Sequence, residues 1–191
     1  MKINDATEAV KQQLTEKRFE HTLRVAETAV DLAKKNNISE EKAEFAAVFH
    51  DYAKFRSLEE MKRWILSSSL PNDLLHYHHE LWHAPVGAIL VREEQGIKDK
   101  ELLGAIHYHT TGRAHMSVLE KVIFLADYIE PGRSFPGLDE VREMAQVDLD
   151  HACWLTSRNT IEFLMRKKSR IYPDTFHAYN DLTTSLNGGN E

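Results

Sequence analysis

Apolar residues recur along most of the chain at intervals of three and four positions, which is the spacing of one face of an α-helix. Between Glu16 and Lys35, for example, Phe19, Leu23, Ala26 and Val30 follow this spacing. Capping residues, prolines and glycines bound similar segments elsewhere. The predicted helices span residues 6–14, 16–35, 39–50, 57–67, 85–95, 99–108, 117–130, 138–146 and 149–168, with a short helix after Pro173.

Signals at the helix ends support this interpretation. Ser57 and Ser117 each stand three residues before a glutamate, the spacing of a capping box, and Gly96 is a typical C-terminal stop. We find no segment that alternates apolar and polar residues over the length of a strand, and no internal repeat or linker. The sequence therefore predicts an all-α fold, a helical bundle that forms a single domain over residues 1–191.

Composition limits the classes of function. Hydrophobic residues make up 42% and charged residues 28%, and the formal net charge of −6 argues against a general nucleic-acid-binding surface. The apolar runs are too short to span a bilayer, and the N-terminus lacks the apolar core of a secretory signal. The lone cysteine, Cys153, fits a buried thiol in a reducing compartment. We expect a cytoplasmic protein with no membrane or nucleic-acid partner.

Metal-binding residue types are frequent, with eleven histidines in the chain. Asp51 follows the apolar stretch 45–49, and Asp127 lies inside the apolar segment 122–129. Burial of an ionised carboxylate costs several kcal/mol of free energy unless the carboxylate is paired or binds a cation. Imidazoles at His50 and at three helix positions complete a candidate set. The six candidate metal ligands are His21, His50, Asp51, His83, His109 and Asp127.

Four imidazoles and two carboxylates suit one or two first-row transition metals, and ligands this far apart in sequence are expected when each comes from a different helix of a bundle. Asp51 could bridge two ions. A single histidine at a helix end is more often a cap or a solvated residue than a ligand. We give that interpretation to the remaining histidines, which are His76, His78, His79, His107, His115, His151 and His177.

The order His, His-Asp, His, His, Asp resembles the HD superfamily of metal phosphohydrolases. The surrounding segments resemble, more specifically, the bacterial YqeK family of symmetrical bis(5′-nucleosyl)-tetraphosphatases. The resemblance runs from about Lys17 to Asp181. The segments that carry it are Phe19–Val25, Phe49–Lys54, His83–Ala88, Ile106–Gly112 and Ala126–Gly137.

That resemblance implies the hydrolysis of diadenosine tetraphosphate into two ADP by a metal-bound hydroxide. It implies a two-metal centre, with iron as the first choice and manganese, cobalt, nickel and zinc left open. One ion would be held by His21, His50, Asp51 and Asp127, and the other by His83, His109 and the bridging Asp51.

Further residues near these segments are candidates for catalysis and substrate binding. Lys54, with Asp51, is a candidate catalytic residue, and Lys54 could also reach a phosphate. Arg133 lies in a loop bounded by glycine and proline, where a guanidinium can contact phosphate. The candidate substrate-binding residues are Arg24, Lys54, Thr110, Thr111, Gly112 and Arg133.

Two alternatives remain open at this stage. The chain could be an HD hydrolase of another nucleotide. Against this, it lacks the downstream Glu-Asp motif of the alarmone hydrolases and the Gly-Tyr-Pro motif of the cyclic-dinucleotide enzymes. It could also be a nucleotide sensor that keeps the metal site without turnover. A homodimer is possible, and the sequence does not determine the oligomeric state.

Overall fold

The computed structural model describes residues 1–188 and shows α-helices joined by turns, with no strand in that part of the chain. Two short 3₁₀ segments, Asn72–His76 and His79–Leu81, precede α5. The helices are α1 Ile3–Lys11, α2 Glu16–Lys35, α3 Glu40–Phe49, α4 Leu58–Ser67, α5 His83–Gln95, α6 Lys100–Tyr108, α7 Val118–Ile129, α8 Leu138–Met144, α9 Leu149–Arg166 and α10 Pro173–Leu186. The predicted all-α fold is confirmed.

Most predicted helix boundaries agree with the structure to within two residues, but the first and last helices differ more. The sequence predicts the first helix at residues 6–14, whereas α1 spans Ile3–Lys11. It begins earlier because the Asp5 carboxylate accepts a hydrogen bond from the Lys2 N–H and caps the N-terminus there. The last helix was expected to be short, yet α10 has 14 residues. Its length follows from packing against α9, where the Trp154 and Tyr179 rings stack with centroids 5.8 Å apart.

Helix α3 is central in the bundle, as is α7, and it contacts α1, α2, α6 and α7. Three of its ten residues are buried alanines, Ala43, Ala46 and Ala47, whose small side chains let neighbouring helices approach closely. Because α3 is central, the residues that directly follow it, His50 and Asp51, are completely buried. The fold thus carries the His-Asp pair into the interior.

One hydrophobic core joins these helices to α9 and α10. Cys153 on α9 belongs to it, and burial raises the pKa of its thiol, as expected for the inert cysteine predicted from the sequence. No helix in residues 1–188 combines the length and apolar character needed to cross a bilayer. The single domain over residues 1–191 stays a prediction, and its last three residues lie outside the described part.

Gly112, in the turn after α6, offers a test of the close contact between this turn and α10. Its φ is +64°, and an added Cβ would lie 3.0 Å from the Ala178 Cβ on α10. We expect Gly112→Ala to lower the free energy of unfolding by about 2–3 kcal/mol, since a left-handed alanine costs about 1–2 kcal/mol before any clash. Urea denaturation measures the loss.

Gly96 provides the matched control, because its φ of +69° is similar but an added Cβ would meet no atom within 4 Å. Gly96→Ala should therefore cost about 1 kcal/mol, the backbone contribution alone. Equal losses in the two variants would contradict the close contact between Gly112 and α10.

Candidate metal centre

The six candidate ligands meet where several helices begin or end. His21 lies in the second turn of α2, and His83 is the first residue of α5. His50, with Asp51 after it, follows α3, and His109 follows α6. Asp127 lies in the last turn of α7 and is the most accessible of the six, with 16% of its side chain exposed. Residues up to 106 positions apart in sequence thus share one buried centre.

Asp51 lies between two groups of imidazoles. Its Oδ2 is 3.0 Å from His50 Nε2 and 3.8 Å from His21 Nε2, whereas its Oδ1 is 3.1 Å from His83 Nε2. On the first side, His21 Nε2 is also 3.1 Å from Asp127 Oδ1. On the second side, His83 Nε2 is 3.1 Å from His109 Nε2. The two carboxylate oxygens of Asp51 therefore face different sets of donors.

The other ring nitrogen of each histidine is held by an oxygen. Three of these contacts go to the backbone carbonyl three residues earlier: His50 Nδ1 to Ala47 at 2.6 Å, His83 Nδ1 to Glu80 at 2.6 Å and His109 Nδ1 to Ile106 at 2.8 Å. A carbonyl can only accept, so each Nδ1 carries the hydrogen. In its neutral form, a ring held in this way presents the lone pair of its Nε2 to the centre.

His21 has a side-chain partner instead. Its Nδ1 lies 3.0 Å from Glu130 Oε1, and the second oxygen of Glu130 accepts from Arg24 Nε at 2.7 Å and from the Gly132 N–H at 2.6 Å. Gly132 is needed for this arrangement, because a Cβ there would lie 2.6–2.8 Å from atoms of the Arg24 guanidinium. Glu130 is thus fixed on three sides and in turn orients His21.

This donor set fits a cation. Within residues 1–188, the buried atoms without a hydrogen-bond partner include His21 Nε2, His50 Nε2 and Asp51 Oδ1. Lone pairs that converge without a hydrogen between them repel one another, and buried polar atoms need a partner. The donor atoms of His21, His50 and Asp127 lie within 4.8 Å of one another, as do those of His50, Asp51 and His109. His50 therefore borders both groups.

The electrostatics of the centre also favour positive charge. Burial alone would raise the pKa of Asp51, but His50 and His83 hold it well below its ordinary value. Burial acts in the same direction on Asp127, where His21 and Arg133 lower the pKa. Burial and the neighbouring imidazoles lower the pKa of His109. Burial opposes protonation of His50, but Asp51 and Asp127 raise its pKa overall. The centre thus holds ionised carboxylates, which suit a metal ion, beside imidazoles whose pKa values shift in opposite directions.

Three arginines surround the carboxylates, one for each. Arg18 pairs with Asp51, Arg133 pairs with Asp127, and Arg24 pairs with Glu130. All three arginines line a cleft of about 430 Å³ that His21 also lines. Arg24 and Arg133 were predicted from the sequence, but Arg18 was not. Its signal was the spacing of three residues before His21, which places both on one face of α2.

Lys54 lies on the other side of the centre. Its Nζ is 2.6 Å from Glu80 Oε2, and it lines a cleft of about 310 Å³ together with His83. The chain at this point forms consecutive turns instead of a regular helix, and the Lys54 N–H donates to the Asp51 carbonyl at 2.8 Å. Lys54 is thus close to the centre but already bears an ion-pair partner.

The residues after His109 face elsewhere. Thr110 and Thr111 line a cavity of about 220 Å³ that none of the six candidate ligands lines. The Thr111 hydroxyl donates to the Gly112 carbonyl at 2.9 Å, and the Gly112 N–H donates to the Tyr108 carbonyl at 2.8 Å. The structure does not bring these three residues into the cleft of the arginines, and their predicted contact with substrate stays a prediction.

Two of the remaining histidines, His78 and His107, differ in their surroundings. His78 caps the second 3₁₀ segment, since its Nδ1 accepts from the Glu80 N–H at 3.2 Å. His107 was expected to be a cap or a solvated residue, but it is largely enclosed, and burial followed by the nearby Arg113 lowers its pKa to about 4. The pattern of α6 does not reveal these surroundings, because residues 69 and 70, from a distant part of the chain, line the same two cavities as His107.

Comparison with known proteins agrees with this geometry. The HD domain family matches residues 18–132, which contain all six candidate ligands. The chain is 53% identical to the "Bis(5'-nucleosyl)-tetraphosphatase, symmetrical" of Bacillus subtilis, over 96% of this chain and 99% of that protein. It is 54% identical to the protein of the same name from Halalkalibacterium halodurans, over 93% of this chain and 95% of that protein.

A solved structure is also similar over nearly the whole chain. It is described as a "predicted HD superfamily hydrolase involved in NAD metabolism" from Clostridium acetobutylicum. The TM-score is 0.91 at 38% sequence identity, and the match covers 97% of this chain and 98% of that one. On this evidence the chain belongs to the HD-domain family and, within it, to the symmetrical bis(5′-nucleosyl)-tetraphosphatases.

Proposed function

We propose that the protein is a metal-dependent hydrolase that cuts diadenosine tetraphosphate, and related dinucleoside polyphosphates, into two nucleoside diphosphates. The observation that carries this proposal is the near full-length similarity to two relatives that bear this name, at 53% and 54% identity. The centre of buried imidazoles and carboxylates supplies the chemistry that such a hydrolysis needs.

The six ligands are proposed to hold one or two divalent transition metal ions, with iron as the first choice. Asp51 supports the two-ion arrangement, because its two oxygens face different imidazoles. Bound ions would lower the pKa of a water molecule and offset negative charge on the phosphate oxygens. Imidazole and carboxylate donors are also compatible with manganese, cobalt, nickel and zinc.

The arginines of the cleft are proposed to bind the phosphates. Arg18 and Arg133 have 22% and 31% of their side chains exposed, so both can turn toward a ligand in the cleft. When a cation neutralises Asp51 and Asp127, their attraction for the guanidinium groups falls. A polyphosphate then binds the guanidinium groups more strongly than the carboxylates do, since one guanidinium can donate two hydrogen bonds to phosphate oxygens.

Lys54 is proposed to act from the second cleft, on a phosphate oxygen or on the attacking water. The Lys54 ammonium group would repel metal ions, so we assign it a role in contacting the substrate or the water and not in holding metal. The pair with Glu80 orients Lys54 in a cleft that His83 also lines. The cytoplasmic location and a homodimer stay predictions from the sequence.

The products of the reaction give the first test. With diadenosine tetraphosphate as substrate, we expect ADP as the main product and little ATP or AMP, because the cut falls at the central bridge. Ion-exchange chromatography of samples taken early in the reaction measures the products. Equal amounts of ATP and AMP would contradict the symmetrical cut while leaving a metal hydrolase in place.

The position of Asp51 between two sets of donors gives the second test. Asp51→Asn should lower turnover by about two orders of magnitude or more and reduce metal content, because losing one partner of a buried charged pair costs about 3–5 kcal/mol. Elemental analysis and a steady-state assay measure both effects. Asp73→Asn makes the same chemical change at an exposed position and should alter neither. Equal effects of the two substitutions would refute the assignment.

Glu130 gives the third test, through its contact with His21. Glu130→Gln should weaken metal binding about 10–100-fold, since outer partners of metal-bound histidines contribute that much. Competition against a chelator measures the affinity. Glu140→Gln is the matched control, because Glu140 pairs with Arg158 at 2.8 Å, away from the centre. Unchanged metal affinity in Glu130→Gln would show that His21 needs no such support.

A further inference from the structure

Two exposed phenylalanines line the same cleft as the three arginines. Phe55 is 54% exposed and Phe135 is 37% exposed. Single exposed apolar residues are common on protein surfaces and need no explanation. Two aromatic rings in a cleft with three guanidinium groups are a different case, because the combination suits a ligand that is both flat and anionic.

The two rings reach the cleft from separate parts of the chain. Phe55 belongs to the turns that follow Asp51, and Phe135 belongs to the loop between α7 and α8, two residues after Arg133. Tyr128 supports Phe135 from α7, with ring centroids 5.0 Å apart and an angle of 77° between the planes. Both rings are therefore attached to segments that also carry residues of the centre.

The size and charge of the cleft point to a nucleotide. Its volume of about 430 Å³ lies in the range of about 300–1,000 Å³ for small-molecule sites. Lys17 lines it together with the three arginines, so cations outnumber the one carboxylate, that of Glu130, among its lining residues. Bases stack on aromatic side chains, while arginines bind the attached phosphates.

We propose that this cleft is a nucleoside-binding subsite, in which the base of one half of the substrate stacks on Phe55 and Phe135 while its phosphates extend past the arginines toward Asp51. This inference rests on the proposed function for the identity of the substrate. It adds the two phenylalanines as specificity-determining residues. Their contribution is to distinguish a nucleotide from an inorganic polyphosphate.

Direct binding tests the subsite without turnover. Isothermal titration of the metal-loaded protein with ADP, and separately with inorganic tripolyphosphate, compares a ligand that has a base with one that has none. We expect Phe55→Leu and Phe135→Leu each to weaken ADP binding about tenfold or more, because stacking of a base contributes roughly that much. Tripolyphosphate affinity should stay within about twofold, since the cations of the cleft are unchanged.

Two further variants serve as controls. Phe163→Leu removes a ring of equal exposure, 54%, from α9 and should leave both affinities unchanged. Phe135→Trp keeps an aromatic surface and should bind ADP nearly as well as the unsubstituted protein. Thermal unfolding of each variant reports whether the fold is intact, which is expected because both sites are exposed.

The results separate this inference from the proposed function. ADP binding that is unchanged in both leucine variants, or an equal loss of ADP and tripolyphosphate binding, would overturn the subsite. Selective loss of ADP binding in a protein that leaves diadenosine tetraphosphate uncut would support the subsite and contradict the proposed substrate. Cleavage of that substrate with ADP binding insensitive to both leucine substitutions would overturn the subsite alone.

Discussion

The structure depends on the burial of Asp51 among imidazole lone pairs at the centre of the bundle. An ionised carboxylate removed from water costs several kcal/mol even in a relaxed protein, about the net stability of a small domain. Here the neighbours of Asp51 include His21, His50 and His83, whose Nε2 atoms lie 3.0–3.8 Å from its oxygens. Such an arrangement is stable when positive charge lies between the donors. The packing of the core itself therefore creates a site that suits a cation.

The interactions that end the helices also orient the ligands. The last carbonyls of an α-helix lack partners within the helix, and a side chain near the end can satisfy one of them. His50 and His109 directly follow their helices and donate Nδ1–H to the carbonyl three residues earlier. One hydrogen bond therefore satisfies a backbone oxygen, fixes the tautomer and aims the lone pair of Nε2 inward. This is why local helix-terminus chemistry and metal chemistry coincide in this fold.

Charge is distributed unevenly over the molecule. The chain has 30 acidic against 24 basic residues, yet three arginines surround one cleft. Each is held by a carboxylate of the centre or of its support, so the guanidinium groups are preoriented at the mouth of the metal site. A polyanionic substrate would be attracted to this cleft against a generally negative surface, and focusing of this kind raises association rates. Preorientation also lowers the entropy lost on binding.

The sequence by itself determined the helical periodicity and most helix ends, because these depend on residue types and short spacings. The six candidate ligands were recognised instead from their residue types, their apolar neighbours and their order along the chain. His50-Asp51 could be recognised as unusual since its apolar neighbours already indicated burial. The candidate residues outside the buried centre were harder to assign from the sequence. Lys54 was identified, but its pairing with Glu80 joins segments that the helical pattern leaves unconnected. Arg18 was missed although it lies three residues before His21 on α2, because only the tertiary structure shows that its guanidinium pairs with Asp51.

The tertiary structure alone decided which side chains share a surface. Phe55 and Phe135 are 80 positions apart and lie outside the regular helices, so no periodicity relates them, yet both line the cleft of the arginines. In the same way, Thr110 and Thr111 are adjacent to His109 in sequence but line a different cavity. Proximity along the chain fixes distance over about one helical turn only. Beyond that, the directions in which helices pack determine which residues face a common space.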